Sequence, residues 1–139
     1  MASSNSSVSH SLKISQACES GKKFAEVFYE KLDKGRHTMG QLFYDSATLI
    51  WNGNHVKGKG DILEFYGNLP TVDTTLICID AHPVSETISG DKTSILVTCN
   101  GKMRFKDQTK CFNESFMLTA LTVDGKTVWK IISDNYRNY

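Results

Sequence analysis

The sequence predicts an α+β domain in which three helices pack on one face of a curved antiparallel sheet. In the first half of the chain, apolar residues recur at spacings of three and four, which is typical of helices. After Pro70 the chain changes to four long segments rich in β-branched and aromatic residues, which favour strands. Only short turns separate these segments. They must therefore be antiparallel neighbours, because a parallel crossover needs about a dozen residues or more.

Three helical segments are predicted in the first half. The first covers residues 14–32 and carries its apolar side chains on one face. A shorter apolar helical turn follows around Met39. The third segment begins near Gly60 and ends at Pro70, because proline cannot continue a helix.

Turn residues divide the predicted strands. Asn52-Gly53 follows a strand over residues 47–52 and favours a tight hairpin, because such a turn needs positive φ at both central positions. Further turns are predicted at Ser89-Gly90-Asp91, Lys106-Asp107-Gln108 and Asp124-Gly125. They separate strands over residues 74–84, 92–105, 110–122 and 127–137.

Length and charge limit the possible functions. The 139 residues are enough for one domain with its own core. Residues 1–11 are Ser-rich and predict a disordered tail, which leaves residues 12–139 as the domain. The formal charge of +1 disfavours direct nucleic-acid binding, which needs a large cationic surface. No apolar run approaches the roughly 18 residues of a membrane-spanning helix, so no membrane partner is expected.

Residue spacing indicates no metal or cofactor site. The four histidines show no spacing typical of metal ligands, and the chain lacks the glycine-rich patterns of phosphate or dinucleotide loops. Asp134 and Tyr136 are the candidate catalytic pair, because a carboxylate beside a tyrosine on a concave sheet suits proton transfer in a cavity. The alternative is a polar pair that is bonded within the core.

Alternation along the last strand separates two faces of the sheet. One face must meet the helices. The other combines apolar with small polar residues and one arginine, and a soluble monomer rarely leaves such a face open to water. We predict that a partner sheet covers this face, with a modestly apolar solvent face as the alternative. The predicted contact residues are Leu96, Thr98, Met117, Trp129, Ile131, Asn135 and Arg137.

Short motifs occur through nearly all of the chain after the tail. They include Leu42-Phe43-Tyr44, Trp51-Asn52-Gly53-Asn54 and Asp80-Ala81-His82-Pro83. A C-terminal block runs from Val128-Trp129-Lys130-Ile131 to Tyr136-Arg137. Together these motifs resemble the nuclear transport factor 2 family. The Trp-Asn-Gly-Asn and C-terminal blocks are similar to the NTF2-related export proteins within that family.

The resemblance implies a fold and a role. The fold would be a nuclear transport factor 2-like cone, in which a bent antiparallel sheet wraps round three helices and dimerises sheet to sheet. The chain would be the non-enzymatic small subunit of a heterodimeric mRNA export receptor. It would stabilise the matching domain of a large TAP-type subunit, and RNA contact would come from that subunit or from adaptors. The heterodimer would bind nucleoporin repeats and shuttle between nucleus and cytoplasm.

The resemblance also implies roles for single residues. In the export proteins an arginine at the end of the last strand forms a salt bridge to an aspartate of the large subunit, and Arg137 lies at that position. Nuclear transport factor 2 itself has an acidic residue after the strand tryptophan, which binds Ran-GDP, and a helix tryptophan, which binds nucleoporin repeats. Asn52 and Ala17 occupy these positions. Both differences disfavour a homodimeric Ran-GDP carrier.

A second alternative is a dehydratase or isomerase that uses Asp134 and Tyr136 in an open cavity. The export-subunit hypothesis instead predicts a core filled with aromatic side chains. The expected members are Phe65, Tyr66, Phe116 and Tyr136.

Overall fold

The computed structural model describes residues 2–84 and 94–139, with side chains from residue 15 onward. The described residues form helix α1 (Ala2–Lys34), a 3₁₀ helix (Arg36–Leu42), helix α2 (Lys59–Asn68) and six strands. The strands are β1 (Phe43–Trp51), β2 (Asn54–Lys57), β3 (Val72–Val84), β4 (Ser94–Phe105), β5 (Gln108–Val123) and β6 (Lys126–Asn138). This confirms the predicted α+β order, in which the helices and a hairpin precede a four-stranded meander.

The six strands form one curved sheet in the order β2-β1-β6-β5-β4-β3. Strands β3 to β6 pair in antiparallel fashion, as the short turns predict. One junction differs from the rest of this sheet, because β1 pairs in parallel with β6. This pair is far apart in sequence, so helix α2 and four strands lie between its members and a parallel crossover is possible.

The three described turns between antiparallel strands are two residues long. Asn52 and Gly53 have φ values of 48° and 86°, and Asp124 and Gly125 have 51° and 77°. Positive φ at both positions is the geometry that the Asn-Gly and Asp-Gly pairs favour, so these two predicted hairpins are confirmed. The third turn follows β4 at residues 106–107, also as predicted. The predicted turn at Ser89-Gly90-Asp91 lies outside the described residues.

Aromatic side chains fill the space between the helices and the sheet. Tyr66, Phe116 and Tyr136 are almost fully buried, and Phe65 is half-buried, which confirms the predicted aromatic core. Phe28 of α1 lies 4.6 Å from Phe116 between ring centroids. The edges and faces of these rings pack as aromatic pairs commonly do, so the helices are held on the concave side of the sheet.

Helix α1 begins before residue 12, where we predicted the start of the domain. Its residues 2–14 are described without their side chains. The Ser-rich tail over residues 1–11 and the domain boundary therefore stay predictions.

A β-bulge in β6 changes which side chains face the helices. Met117 pairs with Ser133, but the next residue of β5, Leu118, pairs with Ile131, so Ile132 is an extra residue. Ile131 is consequently fully buried in the core, and Trp129 is half-buried and packs against it. The prediction that Trp129 and Ile131 lie on the open face is wrong, because strict alternation does not hold across a bulge.

Candidate protein interface

Side chains along each strand point alternately to the two faces of the sheet, and one of these faces is buried. The other face carries half-buried or exposed side chains, and none of the described helices covers it. We call it the open face. Its members are Thr48, Ile50, Leu96, Thr98, Asn100, Asn113, Ser115, Met117, Ser133, Asn135 and Arg137. The structure thus brings together five of the seven predicted contact residues, and the two beyond the bulge lie elsewhere.

The strand register aligns the open face in rows. Ser115 pairs with Asn135 on one side and with Thr98 on the other, and Met117 likewise pairs with Ser133 and Leu96. Small hydroxyl and amide side chains therefore surround a few apolar ones. This composition fits a surface that contacts both water and a protein partner, since non-obligate interfaces are about as apolar as ordinary surface.

A groove of about 390 Å³ lies at one end of the open face. The lining residues are Ile50, Gly53, Asn113, Ser115, Asn135, Tyr136, Arg137 and Tyr139. Arg137 is exposed and makes no ion pair with any described residue. Its guanidinium supplies a planar fork of N–H donors, which matches a carboxylate in two-point contact. The groove can therefore accept an acidic side chain.

The β1–β2 turn is bonded to the end of β6 next to this groove. The Asn52 N–H donates to the Tyr136 carbonyl at 2.9 Å. The Asn138 N–H donates to Asn52 Oδ1 at 2.9 Å, and Asn52 Nδ2 lies 3.4 Å from Asn138 Oδ1. The ring of Trp51 stacks on Tyr136 with centroids 3.7 Å apart. The residues on both sides of Arg137 are therefore held by the turn.

The other candidate site, Asp134, lies inside the core beside a second acid that sequence reasoning missed. Glu114 is fully buried, and Asp134 is 1% exposed. The Tyr66 hydroxyl donates to Asp134 Oδ2 at 2.6 Å and lies 3.4 Å from Glu114 Oε2. The Tyr29 hydroxyl donates to Glu114 Oε1 at 2.7 Å. We call these four side chains the buried acid cluster.

Burial favours the protonated form of the two acids in the buried acid cluster. Burial raises the pKa of Asp134 to about 6, and burial with the neighbouring Asp134 charge raises the pKa of Glu114 well above its usual range. Asp134 Oδ1 receives no hydrogen bond from an N–H or hydroxyl group of the described residues. A proton on Glu114 would give that carboxyl group a hydroxyl donor for Asp134. Two adjacent buried carboxylates are otherwise unfavourable, because one charge disfavours the other.

Tyr136 is separate from this cluster. Its hydroxyl lies 3.7 Å from Met103 Sδ and accepts from Asn138 Nδ2 at 3.2 Å, and burial raises its pKa to about 12. No described hydrogen bond joins Asp134 to Tyr136, the catalytic pair that the sequence suggested. Glu114 follows the buried alternation of β5 between Phe112 and Phe116, and that pattern was the available signal for it.

The cluster predicts that stability depends on pH. An unfolded chain ionises both acids near their ordinary pKa, whereas burial raises the pKa of both in the folded chain, so unfolding releases protons at pH values between the two. The free energy of unfolding is expected to fall as the pH rises from about 4 to about 6, where Asp134 titrates, and to fall further above that because the pKa of Glu114 is also raised. The slope is up to about 1.4 kcal/mol per pH unit for each proton released. Glu114→Gln keeps a neutral donor for Asp134 and is expected to lose the part of this slope that Glu114 contributes above about pH 6.

Urea denaturation at a series of pH values measures this slope directly. Glu64→Gln is the matched control, because Glu64 is exposed on α2 and is expected to leave the slope unchanged. An equal pH dependence of the free energy of unfolding in the wild type and in Glu114→Gln would contradict the raised pKa of Glu114.

Two other features are absent from the described residues. None of the described helices is long and apolar enough to cross a membrane. Within residues 2–84 and 94–139, no group of three or more His, Cys, Asp or Glu side chains is arranged to hold a metal ion.

Comparison with known proteins identifies the family. A family model described as the nuclear transport factor 2 (NTF2) domain matches residues 20–138. NTF2-related export protein 2 of Homo sapiens is 38% identical over 125 residues, which cover 89% of this chain and 88% of that protein. The chain belongs to the NTF2-related export protein family.

Solved structures show the same fold. Nuclear transport factor 2 from Cryptosporidium parvum has a TM-score of 0.74 at 22% identity, covering 91% of this chain and 95% of that one. A chain of the Candida albicans Mtr2–Mex67 M domain complex has a TM-score of 0.65 at 16% identity, covering 84% and 92%. The nuclear transport factor 2-like cone is therefore confirmed.

Proposed function

We propose that this chain is the non-enzymatic small subunit of a heterodimeric mRNA export receptor. Its open face would bind the matching domain of a large TAP-type subunit and stabilise that domain. The heterodimer, rather than this chain alone, would bind nucleoporin repeats and shuttle between nucleus and cytoplasm. RNA contact would come from the large subunit or adaptors, which agrees with the formal charge of +1.

The observation that carries this proposal is Arg137, which lies in a groove of the open face and makes no ion pair with the described residues. An arginine that is enclosed by a partner and paired with a carboxylate supplies register and partner choice as well as affinity. Membership of the export protein family supports the role, and the name of the Mtr2–Mex67 complex supports a two-chain assembly on this fold.

The state of the core argues against the enzyme alternative. A dehydratase or isomerase needs its acid in a cavity that substrate can enter. Asp134 is 1% exposed and bonded to Tyr66, so a substrate has no access to it in this structure. The buried acid cluster acts here as part of the packed core.

Size-exclusion chromatography with light scattering tests the proposal. The purified chain is mixed with the nuclear transport factor 2-like domain of a large TAP-type subunit, and a 1:1 complex is expected. The large-subunit domain alone is expected to melt at a lower temperature than the complex, because binding to the native state stabilises it. Separate elution of the two proteins at micromolar concentrations would contradict the proposal.

A further inference from the structure

We propose that Asn52 is a positioning residue for the groove: its side chain fixes the end of β6 and thereby orients Arg137 toward a bound partner. This inference rests on the proposed function, because it assigns a role within the same interface.

The role follows from where β1 ends. Strand β1 pairs with β6 as far as Trp51 and Tyr136, and the chain then turns away at Asn52. Beyond this point β6 would have a free edge on the β1 side. The Asn52 N–H still donates to the Tyr136 carbonyl, and its side-chain oxygen then accepts from the next inward N–H, that of Asn138. The side chain thus replaces the main-chain partner that β1 no longer provides.

Arg137 lies between these two bonded residues. On its other side β6 is held by β5, where Arg137 pairs with Asn113 and the Tyr139 N–H donates to the Cys111 carbonyl at 3.0 Å. With Asn52 in place, both edges of the strand end are bonded. A fixed backbone under Arg137 lowers the entropy that the groove loses when a partner binds, which is the general advantage of preorganisation.

Asparagine suits this position for two separate reasons. Its φ of 48° lies in the left-handed region, which asparagine tolerates better than most residues. Its amide also offers an acceptor for the Asn138 N–H and a donor near Asn138 Oδ1. Two variants test the backbone and side-chain requirements separately. Asn52→Gly keeps the backbone geometry and removes the side chain, whereas Asn52→Asp keeps the acceptor and removes the donor.

A double-mutant cycle with Arg137→Ala tests the inference. Affinity for the large-subunit domain is measured by calorimetry for Asn52→Gly, Arg137→Ala and the double variant. Asn52→Gly alone is expected to weaken binding about 3- to 10-fold, within the range of coupled neighbours. In the Arg137→Ala background the same change is expected to have less than about a 2-fold effect, because no arginine remains to be positioned. Asn52→Asp adds a negative charge near the groove, so it is compared with the wild type by Asn138 exchange rather than by affinity.

Hydrogen exchange provides a readout that does not depend on the partner. The Asn138 amide is expected to exchange at least about 10-fold faster in Asn52→Gly, because its bonded acceptor is gone. Asn54→Gly is the matched control, since Asn54 is exposed in the same hairpin, and it is expected to change neither exchange nor affinity.

The outcomes separate the inference from the proposed function. If Asn52→Gly weakens binding equally with and without Arg137, or leaves Asn138 exchange unchanged, the positioning role is wrong. If Arg137→Ala binds like the wild type while Asn138 exchange still rises in Asn52→Gly, the bond between turn and strand is real. In that case the placement of the partner on this groove fails.

Discussion

Arg137→Asp is expected to reduce affinity for the large-subunit domain more than any other single change on the open face. Removing one partner of an enclosed charge pair costs about 2–5 kcal/mol, which corresponds to roughly 30-fold to several thousand-fold in affinity. Aspartate adds repulsion toward a facing carboxylate, so its effect should exceed that of Arg137→Ala. Calorimetric titration of the purified proteins measures both variants.

The fold itself is expected to survive this change. Arg137 is exposed, and no ion pair with the described residues depends on it. The melting temperature of the isolated chain should therefore stay within about 2 °C of the wild type, as surface changes are usually within about 0.5 kcal/mol. Lys23→Asp is the matched charge reversal on α1, on the helix side of the sheet, and should bind normally.

Restoring opposite charges offers a second check. An Asp→Arg change at the facing position of the large subunit should recover binding of Arg137→Asp, because the pair is then reversed rather than broken. Wild-type affinity of Arg137→Asp would show that the partner does not use this groove.

The parts of the fold that depend on neighbouring residues could be predicted from the sequence. The hairpins at Asn52-Gly53 and Asp124-Gly125 follow from backbone preferences of the turn residues themselves. The meander follows from short connections between strands. These signals are local, so a single sequence contains them.

The parts that depend on distant contacts could not be predicted. The amino-acid composition of β6 does not reveal that Ile132 is an extra residue. The bulge nevertheless places Ile131 in the core rather than on the open face. The parallel pairing of β1 with β6 joins segments that are far apart in sequence. Glu114 could be placed near Asp134 only after the register of β5 and β6 was known. The open face was therefore predicted on one side of the bulge and missed on the other.

Gly101→Ala is expected to destabilise the fold strongly. A Cβ at Gly101 would lie 2.2 Å from the Thr75 carbonyl oxygen and 3.2 Å from Leu76 Cα. These are main-chain atoms of β3, so the clash cannot be relieved by rotating a side chain. The strands approach closely here because β3 has a bulge between Leu76 and Cys78, opposite Gly101. We expect a loss of at least about 3 kcal/mol in the free energy of unfolding, at the upper end of overpacking effects.

Gly67→Ala provides a control of opposite sign. Gly67 is exposed within α2, and a Cβ there meets nothing within 4 Å. Alanine in a helix is about 0.5–1 kcal/mol more favourable than glycine, so this variant should be slightly more stable than the wild type. Guanidinium denaturation of both variants compares the two sites under the same conditions. A loss below about 1 kcal/mol in Gly101→Ala would mean that β3 can move away from β4 at the bulge, and that the close approach of the two strands does not require glycine.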